Sequence, residues 1–203
     1  LLYTAYLVKT RLGSPVLFTQ IRPGKDGKLF RMYKFRSMTD ERDAEGNLLP
    51  DDVRLTEFGK KLRATSADEL PELINIFKGD ISVVGPRPQL VRDMVFFTEE
   101  EMKRQSVYPG LTGLAQICGR NNITWKEKFA LDLEYIKDIN FFEDMRIIFR
   151  TVFKVSAQED IATDGMETAE DYGDWLLRTG QIEKEEYDKK QAEAKKMVDE
   201  FEG

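Results

Sequence analysis

Asp68 and Glu69 stand side by side in Ser66-Ala67-Asp68-Glu69-Leu70-Pro71-Glu72-Leu73, where the pattern predicts the start of a helix. The free N–H groups and positive dipole end of a helix start favour negative charge, so carboxylates, phosphate and Mg²⁺ suit it together. A plainer reading stands beside this one. Ser66 with Glu69 three residues later fits a capping box, and Asp68 fits an N-cap, so the dipeptide alone assigns no chemistry. The balance shifts with the cations expected at loop and strand ends: Lys34, Arg36, Arg63, Arg87 and Arg120. Five cations around two acids point to a polyphosphate substrate.

The 203 residues include no histidine and one cysteine, Cys118. This excludes Ser-His-Asp and Cys-His nucleophile systems, His-ligated metals, Cys-based zinc sites and an intrachain disulfide. Carboxylates and Mg²⁺ become the leading currency, and a reducing compartment is the natural setting. A phosphoryl-transfer site needs cations on the non-bridging oxygens, a metal to neutralise charge and an in-line nucleophile. Without histidine, an aspartate forming an acyl phosphate is the simplest two-step route. Glu69 would then bind Mg²⁺, orient phosphate or act as base, and adjacency does not decide which.

These side chains need elements to hold them. Residues 15–21 and 28–36 read as strands joined through Pro23-Gly24-Lys25-Asp26-Gly27, whose Asp-Gly favours positive φ. Extended backbone over 29–38 would put Lys34 and Arg36 on one face, converging on one spot; the bland alternative is a charge-guarded edge strand. Residues 39–54 read as an exposed polar loop. Thr56 then N-caps a short helix with Leu55, Phe58 and Leu62 at helical spacing, which delivers Arg63 at its end. A helix over 66–80 follows, with Leu70, Leu73, Ile74 and Phe77 on one stripe, Pro71 in its first turn and Gly79 ending it. The β-branched run 81–84 leads into Gly85-Pro86-Arg87-Pro88, a rigid turn around one arginine.

Further on, the pattern predicts a helix over 90–105 and a short strand at 114–118 between Pro109-Gly110 and Gly119-Arg120-Asn121-Asn122. Thr124-Trp125-Lys126-Glu127 is a capping box opening a helix with Phe129, Leu133 and Ile136 on one side, and 142–156 reads as another. Beyond 157, Thr168 caps a helix through Leu177, Gly180 breaks it, and 182–201 forms a second, highly charged helix. This reads as a helical hairpin appendage: a partner-binding or regulatory element, or a solvated tail. The fold class is therefore α+β, a helix-rich mixed fold with a small β-hairpin and short strands around the site. Three regions are expected: 1–14, the tail of a longer apolar segment; 15–156, the domain that carries the acid pair and the cations; and 157–203, the acidic appendage.

Charge is unevenly spread within the net −6. Residues 1–36 hold eight Lys/Arg against one Asp, net +7, whereas 157–203 hold six against fifteen acids, net −9. A basic front beside the apolar Leu1-Leu2-Tyr3-Thr4-Ala5-Tyr6-Leu7-Val8 suits an anionic membrane surface. That opening reads like the tail of a longer apolar segment. No run of about 18 apolar residues and no signal peptide is present, so the chain as it stands is expected neither to span a bilayer nor to be secreted.

Lys34-Phe35-Arg36-Ser37-Met38, the Ser66 to Leu73 stretch, and Gly79-Asp80-Ile81-Ser82-Val83-Val84-Gly85-Pro86-Arg87-Pro88 together resemble the bacterial sugar transferases. Pro109-Gly110-Leu111-Thr112-Gly113-Leu114-Ala115-Gln116 and Gly119-Arg120 fit in the same order. These are small monotopic polyprenyl-phosphate phosphoglycosyl transferases, and the resemblance covers about residues 10–155. It implies transfer of a phosphosugar from a UDP-sugar to a membrane polyprenyl phosphate by a ping-pong route, releasing UMP. By position, Asp68 would be the nucleophile and Glu69 its partner, with Mg²⁺ at the dyad. Arg87 would contact the substrate phosphate or nucleotide, with Lys34, Arg36, Arg63 and Arg120 as further anion contacts. Asp132 and Asp144 match acidic family positions near the site, although each also reads as a solvated helix acid.

The resemblance also implies a re-entrant N-terminal helix, of which only the first eight residues would remain, amphipathic helices at the interface, and a place on the cytoplasmic face of the bacterial inner membrane. Pairs such as Ile76-Phe77, Phe96-Phe97 and Phe141-Phe142 would face lipid headgroups or form core. Oligomerisation would run through the C-terminal helices. A non-catalytic membrane-associated scaffold of the same fold is the alternative, opposed by the intact Asp68-Glu69 pair. A nucleic-acid module is opposed by a pI near 5.0 and the absence of a clustered aromatic motif.

Overall fold

The computed structural model describes residues 1–119, 123–157 and 170–203. Helix α1 (Leu2–Leu12) leads into an antiparallel hairpin, β1 (Leu17–Pro23) and β2 (Leu29–Phe35), with Leu17 opposite Phe35 and Pro23 opposite Leu29. Its turn runs through the left-handed region at Asp26 (φ 56°) and Gly27 (φ 71°), as the Asp-Gly dipeptide favours. Helices α2 (Asp51–Arg54) and α3 (Glu57–Ala64) follow, and the Thr56 hydroxyl accepts from the Gly59 N–H at 3.1 Å to cap α3. A single 3₁₀ turn (Ala67–Glu69) and α4 (Glu72–Lys78) come next, then β3 (Ser82–Val84). The remaining elements are α5 (Val91–Met94), α6 (Glu99–Met102), β4 (Gly110–Thr112), α7 (Leu114–Cys118), α8 (Trp125–Lys137), α9 (Phe141–Ala157), α10 (Tyr172–Arg178) and α11 (Lys184–Glu202). This is the helix-rich α+β class expected, and no helix among the described residues is long and apolar enough to cross a membrane.

Two expected elements change character. The helix over 90–105 divides into α5, α6 and a 3₁₀ turn (Lys103–Ser106), because Thr98 starts a new capping box with Glu101 and interrupts the ladder. The strand expected at 114–118 is α7, and the strand lies just before it as β4, parallel to β3 with Val84 opposite Thr112. That parallel pair is very close. A Cβ on Gly110 would lie 2.1 Å from the Gly85 nitrogen, so only glycine lets the two backbones meet and the Arg87 turn start there.

Helix α4 inverts the expected arrangement. Its stripe of Leu70, Ile74 and Phe77 is exposed, Phe77 to 91%, while Glu72 and Asn75 are buried to 2% and 0% exposure. Asn75 offsets its burial with a full set of bonds. Its amide donates to the Arg31 carbonyl (2.8 Å) and Asp80 (2.9 Å), and its oxygen accepts from the Tyr33 N–H (3.1 Å). These bonds fasten α4 to β2, one residue from Lys34. Helix α9 shows a second apolar outer face, with Phe141, Phe142, Phe149, Val152 and Phe153 all exposed.

Residues 170–203, part of the region read as an appendage, are seated on the core. Ala194 packs with Ile21, Val91 and Met94, and Tyr172 with Phe96 and Phe129. The expected cap at Thr168 lies outside the described residues.

Candidate active site

Four elements converge on the acid pair. The capping box expected between Ser66 and Glu69 does not form, because Ser66 takes a left-handed conformation (φ 52°) and makes no cap bond. Glu69 turns instead to the cations. Its Oε1 accepts from Lys34 Nζ at 2.8 Å and from Arg87 Nη2 at 2.6 Å. Lys34 comes from β2, Arg87 from the Pro-flanked turn after β3, and the acids from the 3₁₀ turn. Arg63, at the end of α3, donates to Ser37 Oγ at 2.9 Å, and its charge is felt at Asp68.

The two carboxyls are pushed apart. Burial alone would raise Glu69, but Arg87 and Lys34, by charge and hydrogen bonding, hold it well below the usual carboxylate range. Asp68 is pushed up to about 6, first by burial and then by the neighbouring Glu69 charge. Among the described residues no hydrogen bond or ion pair reaches the Asp68 carboxylate. One acid is thus neutralised and fixed, and the other is open with its carboxyl raised toward neutral pH, a division that suits a nucleophile and its supporting group. Both line a cavity of about 1260 Å³ together with Lys34, Arg63 and Arg87.

Of the remaining expected residues, Arg36 and Asp132 line the same cavity with their charges engaged by other partners. Lys34 and Arg36 do not converge, because the strand ends at Phe35; Arg36 donates to the carbonyls of Ser14 and Met38 (both 2.8 Å) and pairs with Asp40. It reaches the cavity wall mainly as a brace for the 36–40 backbone. Asp132 is 3% exposed and accepts twice from Arg104, at 2.6 and 3.1 Å. Arg104 donates in turn to the Arg87 carbonyl at 2.7 Å, so Asp132 supports Arg87 from behind through that pair. Asp144 accepts from the Tyr135 hydroxyl at 2.7 Å and is not among the cavity-lining residues described. Arg120 lies outside the described residues.

Sequence reasoning missed several participants. Glu72, buried beside Lys34 at 3.4 Å, has its carboxyl raised by burial and by Glu69. Arg22 donates to Gln20 (2.6 Å) and the Pro88 carbonyl (3.3 Å), and burial beside Arg87 lowers its pKa to about 10. Lys128, on α8, has its pKa lowered by burial and then by Arg87. Arg22 and Lys128 both line the cavity. The available signal was a pair of polar residues, Glu72 and Asn75, three apart beside an apolar helical stripe. For Arg22 and Lys128 no local signal exists, since they meet Arg87 from distant elements.

The sequence matches known proteins along most of its length. The family model for bacterial sugar transferases matches residues 1–158. An uncharacterized sugar transferase, EpsL, of Bacillus subtilis is 52% identical over 170 residues, covering 84% of each chain. The galactosyl transferase CpsE of Streptococcus agalactiae is 42% identical over 154 residues, 69% of this chain and 34% of that protein. The UDP-glucose:undecaprenyl-phosphate glucose-1-phosphate transferase of Escherichia coli is 40% identical over 163 residues, 74% of this chain and 34% of that protein. The chain thus spans most of EpsL and about a third of the other two. With its acid pair, cation clamp and motif order in place, the chain belongs to the bacterial sugar transferase family.

Proposed function

We propose that this protein is a polyprenyl-phosphate phosphoglycosyl transferase that moves a phosphosugar from a UDP-sugar to a membrane polyprenyl phosphate. The observation that carries the reading is the split dyad: Glu69 locked by Lys34 and Arg87, with Asp68 beside it unclaimed. A carboxylate oxygen of Asp68 attacks the β-phosphorus of the donor, and the bond from that phosphorus to the bridging oxygen breaks. UMP departs with the bridging oxygen and its electron pair. A phosphate oxygen of the acceptor then attacks the same phosphorus, and the Asp68 carboxylate leaves, giving polyprenyl diphosphate sugar. Arg87, Arg22, Lys34 and Lys128 supply positive charge for the diphosphate oxygens. The printed names of the relatives, a glucose-1-phosphate transferase to undecaprenyl phosphate among them, support this donor and acceptor class.

Mg²⁺ suits this donor set, because it takes one or two carboxylates and completes its shell with phosphate oxygens and water. The open Asp68 carboxylate and its Glu69 neighbour would hold it, and it would neutralise charge on the donor diphosphate. No cluster of three or more acids able to hold a metal by itself occurs among the described residues, in keeping with a site that shares its ion with substrate.

The exposed stripes of α4 and α9 place Phe77, Phe149 and Phe153 beside Lys78, Arg150 and Lys154. Apolar residues flanked by cations suit an anionic lipid surface, here the cytoplasmic face of the membrane. The test is UMP release from a panel of UDP-sugars with Mg²⁺ in detergent, with and without polyprenyl phosphate. Acceptor-dependent UMP from wild type and none from Asp68→Asn is expected; turnover by Asp68→Asn would remove Asp68 from the nucleophile role.

A further inference from the structure

Helices α10 and α11 lie beyond residues 1–158, the segment matched by the family model. The two residues that lead into α10, Glu170 and Asp171, nevertheless line the catalytic cavity. The Tyr172 N–H donates at 2.8 Å to Asp93, which is 2% exposed on α5. Arg92 bridges to Asp171 and Asp174, both at 3.3 Å, Lys190 Nζ donates to the Val95 carbonyl at 2.6 Å, and Gln191 reaches the Arg92 carbonyl. The helix pair is therefore bolted to the segment that directly follows the Arg87 turn. Asp171 also lines the cavity that holds Asp68 and Glu69, as do Asp93, Trp125 and Lys128.

Charge along this wall has an order. Glu69 sits on Arg87, Arg87 lies beside Arg22, and Arg22 in turn feels Asp93 and Asp171. The Nε of Arg22 is buried with no partner among the described residues, so the cationic stretch holds an unused donor. A diphosphate belongs on the cations and is repelled by the acids beyond them. Carboxylates accept hydrogen bonds and do not donate them, so the acidic stretch suits hydroxyl groups, and an aromatic ring such as Trp125 suits an uncharged ring stacked on it.

We propose that the segment entering the C-terminal helix pair forms the donor-recognition wall of the enzyme, with Asp171 accepting from a vicinal diol of the nucleotide sugar. This rests on the transferase reading above and names which part of the chain selects its donor. The diol belongs either to the sugar or to the ribose, two sources of one chemistry.

The experiment is calorimetric titration of UDP-sugars into the full chain carrying Asp68→Asn, which blocks turnover, with and without Asp171→Asn. Adding Asp171→Asn is expected to weaken binding about tenfold to a hundredfold, the range for a hydrogen bond to a charged group, with melting temperature lowered by no more than about a degree for the loss of its part-exposed pair with Arg92. Asp188→Asn, at an exposed position of α11 where the carboxylate pairs with Lys184, is the control and should change neither. A 2′-deoxyribose donor that binds equally well with and without Asp171→Asn assigns the contact to ribose; a deoxysugar donor that does so assigns it to the sugar. Equal affinity of the two proteins for every intact donor overturns the proposal alone, whereas absence of any UDP-sugar binding by the protein that keeps Asp171 overturns the donor reading with it. A melting temperature that falls in step with affinity assigns the helix pair a purely structural role and likewise overturns it.

Discussion

Glu69 with Arg87 and Asp132 with Arg104 are the same chemical couple at the same closest distance, 2.6 Å, yet they do different work. The second is sealed. Both partners are almost fully buried, one carboxylate oxygen takes two guanidinium N–H bonds, and a further one goes to the Arg87 carbonyl. The first is open to the cavity and unequal, one carboxylate shared between two cations with a second carboxylate next to it. A sealed pair uses its charge to hold backbone, whereas an open pair with an extra acid leaves one charge free for chemistry. The role follows from the surroundings, not from the residue types.

The sharpest way to break this contrast is Asp68→Asn, which should abolish turnover by at least about a thousandfold. Its stability effect has the opposite sign from an ordinary ion-pair loss. The folded carboxyl titrates near 6 against 3.8 for the unfolded group, so folding disfavours its charged form. Stability therefore declines as pH rises through that interval and stays lower above it, and the amide escapes this cost. At pH 7.5 the variant should melt at the same temperature or higher, by on the order of 1 kcal/mol after allowing for solvent screening. A drop of several degrees in scanning calorimetry would contradict the open-pair assignment.

Asp132→Ala should do the reverse, costing about 3–5 kcal/mol by leaving Arg104 buried and unpaired, seen as a lower urea midpoint. Replacing Asp132 and Arg104 together with leucines should recover most of that stability while activity stays low, because the Arg87 carbonyl has lost its donor. Recovery of activity as well would show that the sealed pair does not position Arg87.

Arg87→Ala should lower kcat/KM by about a hundredfold, with melting shifted by a few degrees at most. The pH profile of kcat/KM should carry an acid limb near 6 as Asp68 takes up its proton, with full activity above it. The limb should move to higher pH in Lys34→Gln, since the Lys34 charge favours ionised Asp68. The smallest effect belongs to Phe77→Ser, expected to weaken sedimentation with anionic vesicles a few-fold and leave melting unchanged.

Much of the candidate site was legible in the chain. Asp68-Glu69 beside Pro71, Arg87 between two prolines, and Thr56 or Thr124 at helix starts are local signals, because capping and proline geometry act within a turn. The hairpin was equally local. The region around 90–105 was not, since an apolar-polar rhythm compatible with one helix was overridden by the capping box at Thr98. Helix α4 misled for a different reason. Periodicity shows that one face is apolar, but which face turns inward depends on what the rest of the fold offers, and here β2 offered Asn75 its hydrogen bonds.

The sequence by itself determined the absence of histidine chemistry, the order of the motifs and the positions of the acids and most of the cations. Tertiary structure alone decided that Glu69 is clamped while Asp68 is left open, that Asp132 is paired with Arg104 behind Arg87, and that Arg22, Lys128 and Asp171 share one cavity. The physical reason is range. Propensity and capping act over a few residues, whereas burial and Coulomb interaction depend on distance in space, and only the folded chain brings Arg22 of β1 and Lys128 of α8 within reach of Arg87, and Asp171 within reach of Arg22.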